Sequence, residues 1–306
     1  MVSSVNVVNG GLKINRKRIS VAGDVEIIIG DSRKVLASFP ERTFQCCITS
    51  PPYWGLRDYG IEGQIGAEST LERYLEDLVA IFREVRRVLR DDGTLWLNIG
   101  DSYTSGNRGW RDTDKKNPAR GMNYRPPNPT GLKDKELIGI PWRIALALQA
   151  DGWYLRSDVI WYKPNCQPES VKDRPTRSHE YVFLLSKNED YFYDSDGSRE
   201  PTTSRGQLRN RRTVWSINTE ASKEAHFAMF PPSLVKLCMV AGSPEKSKII
   251  DPFFGAGTVG VVARELGRGC VGIELKPEYA EIARKRIASA AVQTTLFSQR
   301  SSLESA

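Results

Sequence analysis

Short apolar runs alternate along the chain with longer stretches in which apolar positions recur every three or four residues, the pattern of strands interleaved with helices. The run Val25–Ile29 predicts a strand, closed by Gly30, Asp31 and Ser32, with a short helix after it. Phe44–Thr49 predicts a second, buried strand, stopped by Ser50, Pro51 and Pro52. Leu71, Leu75, Leu78, Phe82, Val85 and Leu89 fall on one face of an amphipathic helix over 71–89. Asp92 and Gly93 turn it into a strand over 95–99. A helix is expected over 134–150, with Pro141 as a kink, then strands over 154–162 and 180–185. After an irregular stretch the alternation resumes: helix 233–240, strand 248–250, a glycine loop and helix, strand 270–273, and helix 277–288.

Three stretches break this pattern. Residues 1–23 are polar and basic, with Lys13, Arg16, Lys17 and Arg18 among short apolar pairs, and predict a basic N-terminal arm or an edge hairpin. The segment 102–131 is rich in Gly, Pro, Asn and Arg; loops of this length in a compact domain are usually functional or disordered. Residues 188–225 are irregular and carry Arg199, Arg205, Arg209, Arg211 and Arg212. Two α/β blocks, 24–187 and 226–289, thus flank a basic middle, and a polar tail follows over 290–306.

Composition narrows the class without deciding it. The 306 residues suffice for one large α/β domain, and 40% hydrophobic with 26% charged residues is a globular balance. No apolar run approaches the ~20 residues a membrane span needs, and the N-terminus lacks a signal-peptide pattern, so a cytoplasmic protein is expected. Five cysteines without a C-x-x-C pair, together with only two histidines, argue against a disulfide scaffold and a zinc site, and no metal is expected. A Ser-His-Asp hydrolase would have to use His179 or His226. The 44 Lys+Arg against 37 Asp+Glu, a net charge of +7, permit a polyanionic partner.

Gly255, Gly257 and Gly260 fit G-x-G-x-x-G between a strand and a helix, and Glu274 ends the following strand. Glycines allow close backbone approach to a ligand, and an acid at that place accepts ribose hydroxyls. The competing reading is a tight strand–helix turn without a ligand, and dehydrogenases and methyltransferases share the motif. Asp251, at the strand end, favours S-adenosylmethionine over a dinucleotide: a carboxylate suits a cationic methionine amine and repels a pyrophosphate. The loop also lies too near the C-terminus to leave a dehydrogenase a second half-sheet.

Thr49, Ser50, Pro51, Pro52, Tyr53 and Trp54 close the second strand with two rigid prolines followed by an aromatic pair. Alone this is equally a Pro-rich turn with Tyr53 in the core. With the glycine loop downstream, the chain resembles the amino-group DNA methyltransferases of the permuted β-type, in which Ser-Pro-Pro-Tyr precedes Phe-x-Gly-x-Gly. The resemblance spans roughly 24–289 and includes Gly30-Asp31-Ser32, residues 158–165, residues 179–182 and residues 226–234. It implies a Rossmann-like α/β fold, a mixed sheet flanked by helices with an inserted target-recognition region. It also implies a site-specific enzyme that moves a methyl group from S-adenosylmethionine to an exocyclic amine of a flipped base in double-stranded DNA.

Chemistry explains the residue types. An exocyclic amine is a poor nucleophile because its lone pair is delocalised into the ring; acceptors for both N–H groups let it pyramidalise. Ser50 and the Pro51 carbonyl are the expected acceptors, Pro52 fixes their geometry, and Tyr53, with help from Trp54, stacks on the base. Asp31, Asp251, Phe253, Gly255, Gly257, Thr258 and Glu274 are the expected cofactor residues. Serine in this motif is associated in the family more often with cytosine N4 than with adenine N6, and N4 is the preferred target, N6 the alternative. Cys166, beside Pro164, Asn165 and Gln167, is read as a bystander, because the inserted Asn breaks the Pro-Cys-Gln of cytosine-C5 enzymes.

The family places target recognition between its two blocks, here 188–225. Arg205, Arg209, Arg211 and Arg212 suit phosphate contact and guanine reading, against the alternative of a solvated basic loop. The 102–131 loop is a second candidate for DNA contact. In the tail, Gln293, Thr294, Thr295, Leu296 and Phe297 resemble the peptide by which bacterial proteins dock on the sliding clamp, although a chance match explains them as well. A cognate restriction endonuclease and a homodimer complete the expected partners.

Overall fold

The computed structural model describes residues 2–9, 12–21, 23–104, 126–202, 206–220 and 230–290. The strands are β1 (Val2–Asn9), β2 (Leu12–Ser20), β3 (Val25–Ile29), β4 (Phe44–Thr49), β5 (Leu89–Ile99), β6 (Tyr154–Tyr162), β7 (His179–Ser186), β8 (Glu200–Pro201), β9 (Leu208–Arg209), β10 (Val214–Ser216), β11 (Lys248–Asp251) and β12 (Gly269–Glu274). The helices are α1 (Ser32–Leu36), α2 (Leu71–Val88), α3 (Ile140–Ala150), α4 (Pro232–Gly242), α5 (Thr258–Glu265) and α6 (Pro277–Ser289). Ten strands form one sheet in the order β1-β2-β3-β12-β11-β4-β5-β7-β6-β10. The centre, β3 through β5, is parallel, and β7 runs antiparallel between β5 and β6.

Two apolar layers sandwich this sheet. One face carries α1, α2 and α3; the other carries α4, α5 and α6. A central strand covered on both faces reads as a near-continuous apolar run, and Phe-Gln-Cys-Cys-Ile-Thr of β4, with Gln45 and Thr49 as its polar members, is buried at every position. A register shift between Phe44 and Cys46 puts these two, which would otherwise share a face, in opposite layers. Helix α2 starts where Thr70 accepts a hydrogen bond from the Arg73 amide, and it buries Leu71, Tyr74, Leu78, Ile81, Phe82, Val85 and Val88. At roughly 1.5–3 kcal/mol per large side chain, this face is a main anchor of its layer. Among the described residues, no helix is long and apolar enough to cross a membrane.

Of the two readings of the N-terminal segment, the structure takes the edge hairpin rather than the arm: β1 and β2 pair antiparallel, and β2 adds antiparallel to β3. It departs from the sequence expectations in three other places. Helix α3 begins at Ile140, not 134, because Pro141 occupies its first turn after the left-handed Gly139 and does not kink its middle. Asp92 and Gly93 make no turn; β5 starts directly at Leu89 and runs through them. Gly93 is needed there, since a Cβ would stand 2.9 Å from the Arg90 carbonyl oxygen and 3.1 Å from that of Gln45. The 188–225 region is partly ordered by the β8–β9 pair and by β10, which adds parallel to β6.

Strand direction positions the site. The C-terminal ends of β3, β12, β11, β4, β5 and β6 share one edge of the sheet, and the antiparallel β7 begins there. Chain order reverses between β11 and β4, and ligands in open α/β sheets bind outside the strand ends at such a point.

Candidate active site

A cleft of about 890 Å³ opens along this edge, within the ordinary range of small-molecule sites. Asp31 follows β3, Ser50 to Tyr53 follow β4, Gly100 and Asp101 follow β5, Phe253 to Gly255 follow β11, and Glu274 closes β12; all of them line it. The two blocks, far apart in sequence, thus meet in one cavity. Of the residues expected from sequence, Asp31, Ser50, Pro51, Pro52, Tyr53, Phe253, Gly255, Thr258 and Glu274 face the cleft.

Glu274 is buried, and its two oxygens accept from the Gly255 amide at 2.7 Å and the Lys276 amide at 2.8 Å. Burial raises its pKa from the ordinary value, against the pull of these backbone N–H groups. Each carboxylate oxygen has a second lone pair, and the Gly255 position, with φ +51°, meets open space where a Cβ would point. The cleft therefore leaves room beside an acceptor, as a ribose requires. Asp31 caps α1 through the Arg33 amide and pairs with the Arg33 guanidinium at 2.8 Å.

Two expected cofactor residues stand behind the cleft wall. Asp251 is 1% exposed and does not line it; its Oδ1 accepts from the Thr49 hydroxyl at 2.6 Å and the Phe253 amide at 3.0 Å. Burial raises its pKa to about 7 despite those hydrogen bonds, with the Glu274 charge adding to the rise. Gly257, at φ +77°, is a packing glycine: a Cβ would come within 2.7 Å of the Ala283 Cβ on α6. Gly260 and Gly272 make room for the Phe254 ring.

At the catalytic end, Tyr53 Oη donates to Glu180 Oε2 at 2.8 Å. Asn98 Nδ2 donates to the same oxygen at 3.1 Å, and Lys163 forms an ion pair with Glu180 Oε1. The Lys163 ammonium also sits 4.2 Å from the Trp161 ring centroid. Burial pushes the Tyr53 phenol well above its usual range, and the Glu180 charge adds to that. Tyr74 supports the turn by donating to the Pro52 carbonyl at 2.9 Å. Trp54 takes no part in the cleft, contrary to expectation: it is 5% exposed, packs in the core beside α2, and donates to the Glu68 carbonyl.

Sequence reasoning gave no site role to Asn98, Lys163, Glu180, Lys276 or Tyr279, all of which line the cleft. A lysine after the apolar run 159–162 and a glutamate before the apolar run 181–185 were the available signal. Cys166 also borders the cleft. Arg209, Arg211 and Arg212 do not line it; Arg209 and Arg212 pair with Glu200 at 2.9 and 2.7 Å, while Arg211 donates to the Ser198 and Arg199 carbonyls. Arg205, most of the 102–131 loop, His226 to Met229 and the Gln293 to Phe297 motif lie outside the described residues.

Residues 44–285 match the family described as DNA methylase, the N6/N4 methyltransferases. The chain belongs to this family. It is 62% identical over 263 residues to the type II methyltransferase M.SmaI of Serratia marcescens, covering 86% of this chain and 90% of that one. It is 57% identical over 275 residues to M.Cfr9I of Citrobacter freundii, covering 90% and 91%. Its fold is similar to PvuII DNA methyltransferase, described as cytosine-N4-specific, with a TM-score of 0.66 at 21% identity over 87% of each chain. It is also similar to a putative DNA modification methylase of Thermus thermophilus complexed with S-adenosyl-L-methionine, with a TM-score of 0.61 at 26% identity over 87% of this chain and 93% of that one. The amino-methyltransferase resemblance and the α/β fold expected from the sequence are thereby borne out.

Proposed function

We propose that this N6/N4 methylase is a site-specific, type II enzyme of the permuted order, which methylates the exocyclic N4 of a cytosine flipped out of duplex DNA. The observation that carries the reading is the single cleft joining the Ser50–Tyr53 turn to the Gly255–Glu274 pocket. S-adenosylmethionine fits the second part: Glu274 offers free lone pairs to ribose hydroxyls, Gly255 leaves space, and Asp31, Phe253 and Thr258 border the same volume. Bound there, the cofactor supplies an electrophilic methyl group. Asp251 acts from behind, holding the loop through the Phe253 amide.

The protein's own groups then prepare the amine. Ser50 Oγ and the Pro51 carbonyl accept its two N–H bonds, drawing the lone pair out of conjugation and aiming it at the cofactor pocket. Tyr53, fixed at its hydroxyl by Glu180, holds its ring against the base. A neutral serine acceptor makes placement the larger part of the effect, and the serine itself favours cytosine over adenine as target. Arg209 and Arg212, on the partly exposed β8–β9 segment, are assigned to the DNA backbone together with Arg205, and the reading carries a nuclease of matching specificity as partner.

Nucleoside mass analysis of plasmid methylated by the purified chain tests this directly. N4-methylcytosine is expected; N6-methyladenine would shift the target to the other amine. Ser50→Ala should lower turnover by about a hundredfold with DNA and cofactor affinity retained.

A further inference from the structure

Between the catalytic turn and α2, residues 55–66 form a compact loop whose ends meet: the Gly55 amide donates to the Gly66 carbonyl at 2.9 Å. Loops closed at the neck and packed by their own side chains are frequently functional. Inside this one, the Gln64 side chain accepts from the Tyr59 amide at 2.8 Å and donates to the Arg57 carbonyl at 3.3 Å. Leu56, Arg57, Tyr59, Ile61 and Gln64 line the cleft together with Asp31 and Glu274.

Two cations hold the loop from opposite sides. Arg33 Nη2 donates to the Gly63 carbonyl at 3.1 Å and to Asp31 Oδ2 at 2.8 Å. Lys276 Nζ donates to the Tyr59 carbonyl at 3.4 Å and lies 5.0 Å from the Tyr279 ring centroid. The Tyr59 and Tyr279 rings meet edge-on, with centroids 6.1 Å apart. Each cation stands two residues beyond a carboxylate of the cleft, Asp31 after β3 or Glu274 at the end of the adjacent β12. We infer that residues 55–66 are a strap across the cofactor end of the cleft, and that Lys276 and Arg33 are the positioning residues that latch it. A cofactor lodged between Asp31 and Glu274 lies under the strap and leaves only when the latch opens.

The strap also bears on the catalytic turn. Gly66, at φ +95°, packs so closely that a Cβ would stand 3.1 Å from the Tyr53 carbonyl oxygen and 3.3 Å from Pro52 Cβ. The Leu56 amide donates to that same Tyr53 carbonyl at 3.3 Å. Closing the strap over the cofactor therefore steadies the residues assigned to the base, as loop closure completes many active sites.

The proposal rests on the S-adenosylmethionine reading, and S-adenosylhomocysteine as probe keeps the two apart. Calorimetry that finds no binding to the wild type removes that reading and the strap with it; the remaining outcomes concern the strap alone. With the probe bound, the amides of 55–66 should exchange hydrogen at least about tenfold more slowly. Lys276→Met keeps the amide that holds Glu274 and removes the latch. It should release the probe about tenfold faster in stopped-flow, the worth of one hydrogen bond from a charged donor, with an unchanged denaturant midpoint and with Lys276→Arg restoring slow release. Arg57 is the single basic residue of the segment and is 6% exposed, so trypsin should cut after it sooner in Lys276→Met than in wild type. Arg33→Met carries the release test should Lys276→Met fail to fold. A bound probe that leaves exchange over 55–66 unchanged, or latch variants that release it at the wild-type rate, would overturn the assignment.

Discussion

The Thr49 hydroxyl donates to Asp251 Oδ1 at 2.6 Å. One residue ends the strand that delivers Ser50, the other ends the strand that delivers the glycine loop, and both are buried. The two halves of the site are thus fastened together at their roots. Thr49→Val keeps the shape and removes the donor, and a buried acceptor left short of a partner costs about 1–3 kcal/mol. Urea unfolding should show that loss, and calorimetry should show weaker S-adenosylmethionine binding, since the loop that Asp251 holds begins at Phe253. Unchanged unfolding would mean that the bond is dispensable.

Asp251 also predicts a pH dependence. Burial raises its folded pKa to about 7, from an ordinary value of 3.8. A carboxyl that binds its proton more tightly in the folded state contributes stability that is complete below its unfolded pKa and is lost as pH rises through the folded one. Between about pH 4 and pH 7, wild type should therefore lose stability relative to Asp251→Asn, by about 1.4 kcal/mol for each unit of effective shift. Glu274, raised in the same direction by its own burial, leaves the variant a residual slope of the same sign. Parallel stability profiles for the two proteins would refute the assignment.

The pattern of apolar residues located the strands of the sheet centre well, because β3, β4, β11 and β12 are covered on both faces and read as short, mostly apolar runs. It misplaced what one residue decides by context. Pro141 serves a helix as well at its first turn as at a kink, and Gly93 reads as a turn until a packed neighbour explains its missing side chain. The Ser50–Tyr53 and Gly255–Glu274 motifs were legible because their chemistry is local. The Glu180 cluster was not: Asn98, Lys163 and Tyr53 reach it from three other elements, and no local spacing encodes strand β7 reversing between β5 and β6.

Glycines of one motif are expected to fail in different ways. Gly257→Ala would press a Cβ against Ala283 and strain a left-handed φ, so it should destabilise the fold by roughly 1–3 kcal/mol. Gly255→Ala meets no packed atom and should unfold at nearly the wild-type denaturant concentration apart from about 1 kcal/mol of backbone strain. Its side chain would instead enter the cleft and weaken cofactor binding. Denaturant midpoints alongside cofactor affinities separate the two; the reverse pattern would mean that Gly257, not Gly255, borders the ligand.

Glu274→Ala removes the acceptor assigned to the ribose and should weaken S-adenosylmethionine binding by about 1–3 kcal/mol. The same substitution frees the Gly255 and Lys276 amides, so loop disorder contributes to the loss. Glu274→Gln separates these: one carboxamide oxygen still accepts, while its NH2 faces an N–H group. Calorimetry should rank wild type above Gln and Gln above Ala. Equal affinity for all three would remove Glu274 from the cofactor site.

The arginines near β9 are predicted to divide by what already holds them. Arg209 and Arg212 share the Glu200 carboxylate, whose pKa is lowered mainly by the Arg212 hydrogen bond. With Arg211 also 4.0 Å from Glu200, three cations on one anion leave a net positive charge, and the more exposed Arg209 and Arg212 guanidinium groups are free to meet a phosphate. Each phosphate neutralised contributes about 0.9 to the slope of log affinity against log salt, so Arg209→Ala with Arg212→Ala should flatten that slope by roughly two. Arg211 donates to the Ser198 and Arg199 carbonyls, and Arg211→Ala should loosen the 198–212 segment toward proteases while changing the slope little. DNA titrations over a range of salt concentrations, with limited proteolysis beside them, read both effects. A salt slope untouched by the double substitution would move the DNA backbone away from this segment.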